Sequence, residues 1–113
     1  MRIITEPTNL NEIWEQRETP FVELLKIVVD IENEIIAVDS EMHADLEEKL
    51  LERGSKQHDL WGANVYPLRN SDDFIEFTAL INIRPAQDNK SMEVLDTGNK
   101  QRMDKIIRKL LIK

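Results

Sequence analysis

Alternating apolar and polar residues predict a β-hairpin in the first third of the chain. Within residues 24–39 isoleucine and valine dominate, and apolar residues recur at every second position from Leu25 to Ile31. Side chains along a strand point to alternate faces, and β-branched residues fit a pleated sheet. Asn33 divides the run, and asparagine tolerates the left-handed backbone conformation that a tight hairpin turn needs. The pattern therefore predicts two strands joined near Asn33.

A second strand pair is predicted at residues 63–66 and 74–84, which the turn-rich sequence LRNSDD joins. In the longer run, one set of alternating positions is apolar and the opposite set is mostly polar. Such alternation is typical of an antiparallel sheet with only one face in the core. The apolar set is Ile75, Phe77, Ala79, Ile81 and Ile83, and the opposite set is Glu76, Thr78, Leu80, Asn82 and Arg84. A short β-branched run at residues 2–5 predicts a further edge strand.

Apolar residues spaced three to four positions apart predict three helices. Asn9 caps the first helix, and Pro20 closes the segment that contains it. Ser40 caps the second helix, and Gly54 ends it. The apolar positions of the second helix are Met42, Leu46, Leu50 and Leu51, and those of the third are Met103, Ile106, Ile107, Leu110 and Leu111.

The element order β-α-β-β-α-β-β-α predicts an α+β fold. A chain of 113 residues has the usual size of a single domain. The simplest architecture is one mostly antiparallel sheet of about five strands, with helices packed on one face. The two strand-strand-helix units share no residue pattern that would mark a duplication. Neither GxGxxG nor GxxxxGK[ST] occurs, which excludes nucleotide binding by those loops.

Charge is unevenly distributed along the chain. The formal net charge is −7, and residues 98–113 carry six basic side chains against one acidic, or +5, which leaves −12 for residues 1–97. An acidic body argues against nucleic acid as a partner, because phosphate binding needs clustered Lys and Arg. It would suit a basic protein partner. The basic end is predicted to be a helix whose cations match its own C-terminal dipole and the nearby acidic body.

The absence of cysteine excludes disulfides, a thiolate nucleophile and a Cys-type zinc site. No apolar window approaches the roughly 18 residues of a membrane span, and the first ten residues, MRIITEPTNL, lack the apolar stretch of a signal peptide. We therefore expect a cytoplasmic protein that has no membrane partner.

His43 and Glu47 lie four residues apart in the second predicted helix, which places them on one helix face. With Asp45, His58 or Asp59 they could contribute ligands to a metal ion. The HExxH pattern is absent, and acidic residues are also favoured in a first helical turn by the helix dipole. The pattern therefore favours a solvated helix start, and no metal or cofactor is predicted.

The run GSKQHDLWGANVYP, residues 54–67, gathers several polar residue types in a short space. His58 and Asp59 could act as a base and its orienting group, but no nucleophile accompanies them, and Asp in a loop commonly bonds the backbone. Trp61 is predicted to cover apolar area and to donate its indole N–H to a loop carbonyl. Gly62 is expected at a bulge or a close backbone approach.

Strand phases predict a polar open face on the sheet. Its predicted members are Asn64, Tyr66, Glu76, Thr78, Asn82, Arg84, Lys26 and Asp30. Arg84 could bind a carboxylate or phosphate in bidentate fashion, with Asn64 and Asn82 fixing orientation. Ordinary cross-strand pairs on a wet face would also explain these residues. The apolar Val28, Phe74 and Leu80 share this phase and favour self-association.

Three stretches resemble a family of small uncharacterised prokaryotic proteins. They are HAD at residues 43–45, GSKQHDLWGANVYP at 54–67 and FIEFTALINIRPAQDNKS at 74–91. The family patterns are HAD, GSxQxDLWGxNxYP and INIRPxxxN. The resemblance covers about residues 24–91 and a similar closing helix, and it implies no activity, cofactor or catalytic residue. Positions matched are His43, Asp45, Gly54, Ser55, Gln57, Asp59, Leu60, Trp61, Gly62, Asn64, Tyr66, Pro67, Asn82, Arg84, Pro85 and Asn89, and His58 is outside the pattern.

The leading hypothesis is a cytoplasmic, non-enzymatic binding or assembly domain that forms a homodimer through the open sheet face. Candidate ligand or interface residues are His43, Gln57, Asp59, Trp61, Asn64, Tyr66, Asn82 and Arg84. The alternative is a small enzyme or ligand-binding protein for an anionic metabolite, with Arg84 as anion clamp and His43 as acid or base. That alternative requires both side chains to converge on one pocket. A regulatory partner such as that of a toxin–antitoxin pair stays open.

Overall fold

Seven strands and three helices form the fold in the computed structural model, which describes residues 1–113. The strands are β1 (Arg2–Ile4), β2 (Thr8–Asn9), β3 (Leu25–Asp30), β4 (Ile35–Val38), β5 (Leu60–Val65), β6 (Ile75–Glu76) and β7 (Leu111–Ile112). The helices are α1 (Leu10–Glu15), α2 (His43–Glu52) and α3 (Thr97–Leu110). Short 3₁₀ turns occupy Gln57–Asp59, Leu80–Asn82 and Pro85–Gln87.

Five of the strands form one antiparallel sheet in the order β1-β4-β3-β5-β6. The long central strand β3 pairs with β4 on one side and with β5 on the other. A separate parallel pair joins β2 to β7 and so ties the two ends of the chain together. The predicted α+β class and the five-stranded antiparallel sheet are confirmed.

Helices cover both faces of the sheet, so the prediction that they pack on one face is wrong. The main core lies on the inner face, where α1 and α3 pack against residues such as Ile27 and Ala63. On the outer face, α2 packs through Leu46 and Leu50 against Val28 and two neighbours on β4 and β5. The reason is that the central strands are apolar on both sides, and each apolar face needs its own cover.

The β3–β4 hairpin forms as predicted, but its left-handed residue is Glu34, with φ of 55°, rather than Asn33. The buried carboxylate of Asp30 organises the turn. It accepts the backbone N–H groups of Glu32 and Asn33 and the side-chain amide of Asn33. Ser55, which follows α2, donates its hydroxyl to the same carboxylate. Asn33, which was predicted to supply the left-handed backbone conformation, therefore stabilises the turn through its hydrogen bonds to Asp30.

The α2 helix ends where the sequence predicts but begins later. Gly54 has φ of 101°, and the N–H groups of Gly54 and Ser55 donate to Leu51 and Leu50. This pairing is the Schellman arrangement that glycine permits. At the other end Met42 occupies the cap position without a side-chain bond, so Ser40 is not the N-cap. Asn9 does cap α1, since its side chain accepts the N–H of Glu12.

The strand predicted over residues 74–84 is wrong beyond its first positions. The β6 strand has two residues, after which the chain leaves the backbone ladder with β5 and continues as the β6–α3 segment, residues 77–96. Asn82 explains the departure. Its side-chain amide accepts the N–H of Gly62 at 2.8 Å and donates to the carbonyl of Gly62 at 2.9 Å. Asn82 therefore forms through its side chain the hydrogen bonds to β5 that a continuing strand would form through its backbone.

Asn89 holds the β6–α3 segment in its folded-back course. Its amide nitrogen donates to the carbonyls of Asn82, Ser91 and Glu93, and its oxygen accepts the N–H of Leu95. The side chain is buried, so these bonds satisfy groups that water does not reach.

The basic end forms a helix beside the acidic body, as predicted. Three ion pairs join basic side chains of α3 to acidic side chains that precede the helix in the chain. They are Lys100–Glu93 at 2.9 Å, Arg102–Glu32 at 3.8 Å and Lys109–Glu34 at 3.5 Å. All involve partly or fully exposed side chains, so each contributes little to stability.

Candidate functional site

A groove remains on the outer face where α2 does not cover the sheet. It lies between the start of α2 and the β6–α3 segment and has a volume of about 400 Å³. We call it the outer groove. Its lining residues are Leu24, Lys26, Met42, His43, Ala44, Asn64, Glu76, Thr78, Ala79, Leu80, Ile81 and Met92. This groove is the part of the predicted open face that α2 leaves uncovered.

The floor of the outer groove is a row of three side chains on adjacent strands. Lys26 on β3 lies opposite Asn64 on β5, which lies opposite Glu76 on β6. Asn64 donates its amide to the carboxylate of Glu76 at 2.8 Å, and the hydroxyl of Tyr66 donates to the same oxygen at 3.2 Å. The amide oxygen of Asn64 is buried. The floor therefore offers a cation and an anion with an amide between them.

Tyr66 supports this floor from the side. Burial raises the pKa of its phenol, and the negative charge of Glu76 raises it further. The phenol therefore stays protonated at neutral pH and acts as the donor to Glu76. Arg69 stacks on the ring at 3.7 Å from the centroid, which holds the ring in place.

His43 closes one wall of the outer groove and is fixed to β5. Its Nε2 lies 2.8 Å from the carbonyl oxygen of Ala63. A carbonyl only accepts, so Nε2 carries the proton. Burial lowers the pKa of His43, the bond to Ala63 opposes that shift, and the charge of Lys26 adds to the lowering. The ring is therefore a neutral wall of the groove at physiological pH.

Gly62 makes this wall possible. A Cβ atom at Gly62 would lie 2.5 Å from the Cβ of Ala79, 3.2 Å from Cγ1 of Ile81 and 3.3 Å from Cδ2 of His43. A separation of 2.5 Å is too short for two carbon atoms, and the other two contacts would be tight, so glycine lets the β6–α3 segment and α2 meet over β5. The predicted close approach at this glycine is confirmed.

The rim of the outer groove is apolar and open to solvent. Met42 is 57% exposed, Leu80 is 70% exposed and Met92 is 41% exposed. Leu24 connects the groove to a shallow depression formed by residues 20–24, where Val22 is also exposed. Of these residues, only Leu80 was expected on an open face.

Arg84 lies outside the outer groove, which contradicts its predicted role as anion clamp. Its guanidinium donates to the carboxylate of Glu47 at 2.8 Å and to the carbonyl of Gln57 at 2.9 Å. It also lies over the ring of Trp61, 4.9 Å from the centroid. Burial lowers the pKa of Arg84, and the charge of Glu47 opposes that shift. The side chain ties α2 to the β6–α3 segment, and both of its terminal nitrogens already donate within the protein.

His43 and Arg84 therefore do not converge on one pocket, and the enzyme alternative has no support. His43 lines the groove through its ring, whereas Arg84 is held by Glu47 one helical turn further along α2. The structure contains no group of three His, Cys, Asp or Glu side chains that could hold a metal ion. Glu47, a proposed metal ligand, is instead the ion-pair partner of Arg84.

The other candidate residues are distributed around the fold. Gln57 is exposed in a 3₁₀ turn. In the same turn, Oδ1 of Asp59 lies 3.4 Å from Nε2 of His58. Trp61 is buried in the main core, and its indole N–H has no partner, so the predicted bond to a loop carbonyl is wrong. Asn82 is fully buried against Gly62 and does not face solvent. Of the eight candidates, His43 and Asn64 line the groove and Tyr66 supports it.

Most of the predicted open face is covered. Val28 is buried beneath α2, and Phe74 is buried in the main core on the other side of the sheet. Asp30 is buried in the hairpin turn. Sequence reasoning missed Leu24, Ala44 and Met92 as groove residues because the three come together only through the fold. It also assigned Met42 to the apolar stripe of α2, and Ala79 and Ile81 to the face opposite the open one, whereas all three line the groove.

A family model described as a protein of unknown function, DUF5674, matches residues 2–110. No curated protein and no solved structure matches the chain. None of the helices combines the length and hydrophobicity that a membrane span needs. Since the family match covers nearly the whole sequence, the chain belongs to the DUF5674 family, whose function is unknown.

Proposed function

We propose that this protein is a cytoplasmic, non-enzymatic binding domain that self-associates through the rim of the outer groove. The observation that carries the proposal is the convergence of three exposed apolar side chains, Met42, Leu80 and Met92, around the uncovered part of the sheet. A contiguous apolar patch on a soluble protein commonly marks an interaction site.

The shape of the patch suits a contact between identical copies. Leu80 projects from the β6–α3 segment, whereas Met42 and Ala44 line the groove from α2. In a twofold pair, each Leu80 can enter the groove of the other copy, because an isologous contact uses the same patch twice. Burying one exposed leucine contributes about 1.5–3 kcal/mol, so two reciprocal insertions give a substantial driving force.

The net charge modulates this association. Both copies are acidic, so their mutual repulsion opposes pairing at low ionic strength. Added salt screens repulsion between charges that lie further apart than the Debye length, about 8 Å at physiological ionic strength. We therefore expect association through this apolar patch to strengthen as salt is added.

Sedimentation velocity on the wild type and two matched variants tests the proposal. Leu80→Glu places a charge on the rim, and we expect it to leave only monomer at concentrations where the wild type associates. Leu68→Glu is the control, because Leu68 is equally exposed, at 74%, but lies in the β5–β6 connection outside the groove. Both substitutions are at exposed positions and leave the core intact. A wild type that stays monomeric at high micromolar concentration contradicts the proposal, as does equal association of both variants.

A further inference from the structure

The floor of the outer groove presents opposite charges at its two ends. Lys26, Asn64 and Glu76 lie directly across from one another on three adjacent strands. Neighbouring strands are about 4.8 Å apart, so the backbone positions of Lys26 and Glu76 are separated by about 10 Å. Both side chains line the same groove, with the amide of Asn64 between them.

Neither charge is neutralised within the protein. No acidic group lies within ion-pair distance of Lys26, whose ammonium sits 5.3 Å from the centroid of the Phe21 ring. Glu76 accepts hydrogen bonds from Asn64 and Tyr66, which are neutral groups. The groove therefore holds one cation and one anion without counter-ions.

The amide of Asn64 is oriented by this arrangement. Its nitrogen donates to Glu76 on one side, so its oxygen is turned away from that carboxylate. That oxygen is buried in the fold, so a ligand in the groove does not reach it. Glu76 accepts both of its hydrogen bonds at one carboxylate oxygen, which leaves its other oxygen for a ligand.

From these features we infer that the groove floor binds a free amino acid with an apolar side chain. The carboxylate of the amino acid pairs with Lys26, and its ammonium group donates to the carboxylate of Glu76. The side chain packs against Met42 and Leu80 at the apolar rim. A volume of about 400 Å³ is in the range of small-molecule sites.

The charge pattern selects this ligand class over simpler ones. An anion without an ammonium group would leave the charge of Glu76 unpaired, and an amine without a carboxylate would leave the charge of Lys26 unpaired. A polar zwitterion such as glycine would meet the floor but not the apolar walls. The inference goes beyond self-association, because all of these residues belong to one copy of the chain.

Isothermal titration calorimetry with wild-type protein tests the ligand class. We expect L-leucine to bind, and we expect N-acetyl-L-leucine, L-leucinamide and glycine each to bind at least about tenfold more weakly. The first analogue lacks the ammonium group, the second lacks the carboxylate and the third lacks the apolar side chain. Absence of leucine binding at a ligand concentration of about 10 mM overturns the inference. Equal binding of leucine and either charge-deleted analogue also overturns it.

Two variants with matched controls assign the charges. Glu76→Gln keeps an acceptor for Asn64 but removes the anion, and Lys26→Met keeps the aliphatic stem but removes the cation. Each should weaken leucine binding at least about tenfold. Glu48→Gln and Lys90→Met change exposed charges outside the groove and should leave binding unchanged. Equal effects of groove and control variants contradict the assignment.

The outcome is separable from the test of self-association. A monomeric wild type that binds leucine refutes the dimer and supports the ligand site. Because a partner's Leu80 would occupy the same groove, the titration is carried out at a protein concentration at which sedimentation shows only monomer. Absence of leucine binding to that monomer refutes the ligand site, whether or not the protein associates at higher concentration. The analogue series uses only wild-type protein, so it remains decisive even if a variant fails to fold.

Discussion

At the scale of single residues, Asp30 shows how a buried charge can serve structure. Its carboxylate has no exposed surface and accepts hydrogen bonds from Glu32, Asn33 and Ser55. Burial alone would raise the pKa of Asp30, but these hydrogen bonds outweigh it and hold the pKa below its usual range. The side chain joins the β3–β4 turn to the end of α2.

We predict that Asp30→Asn destabilises the protein by about 1–3 kcal/mol at neutral pH, because the amide cannot accept all of these donors. The loss should depend on pH. An unfolded aspartate titrates at about pH 3.9, and the folded Asp30 titrates lower, so its ionised form stabilises the fold above about pH 3.9. That contribution disappears as the pH falls from about 3.9 through the folded pKa.

Urea unfolding across the pH range measures this effect. The stability gap between wild type and Asp30→Asn should be widest near neutral pH and should narrow below about pH 4. Asp72→Asn is the control, because Asp72 is exposed in the β5–β6 connection and makes no side-chain bond. A gap that stays constant down to strongly acidic pH would show that Asp30 is not the titrating group.

At the scale of elements, the buried side-chain amide of Asn82 anchors the β6–α3 segment to β5. Asn82 donates to the carbonyls of Gly62 and Met92 and accepts the N–H of Gly62. We predict that Asn82→Ala lowers the free energy of unfolding by about 2–4 kcal/mol, because it leaves the buried N–H and C=O groups of Gly62 without hydrogen-bond partners. The measurement is chemical denaturation.

Asn70→Ala is the matched control for that substitution, because Asn70 is exposed between β5 and β6. It should change stability by no more than about 0.5 kcal/mol. If Asn82→Ala proves equally mild, the side-chain pairing with β5 does not hold the segment in place.

The same segment marks the limit of what the sequence predicts about elements. The hairpin and the end of α2 follow from local signals, namely residue alternation and the left-handed preference of Gly54. The strand predicted over residues 74–84 fails because Asn82 bonds to β5 through its side chain, and alternation cannot reveal such a partner. The start of α2 is also missed, since Ser40 bonds only the N–H of Met42 at 3.4 Å.

The sequence predicts part of the candidate site, and the rest depends on tertiary contacts. His43 and Asn64 could be selected as polar residues at suitable positions, and both line the outer groove. Arg84 was equally attractive as a free cation, but Glu47 comes within 2.8 Å of it only in the folded chain. Tertiary pairing, which no local pattern contains, separates a bound arginine from an available one.

At the scale of the whole molecule, the second apolar face of the sheet determines where the outer groove lies. Because α2 covers that face through Leu46 and Leu50, only the end near Lys26 and Asn64 stays open. The apolar rim and the charged floor both belong to this opening. Our central claim is that this one groove is the surface through which the protein associates.

The most direct test of that claim is a comparison of two-dimensional amide NMR spectra at low and high protein concentration. We predict concentration-dependent shifts that cluster at the groove, around Met42, Ala44 and Leu80, and none around Leu68. The Leu80→Glu variant should show no such shifts. Shifts centred on another surface, or spectra that do not change with concentration, would contradict the claim that the outer groove is where this protein associates.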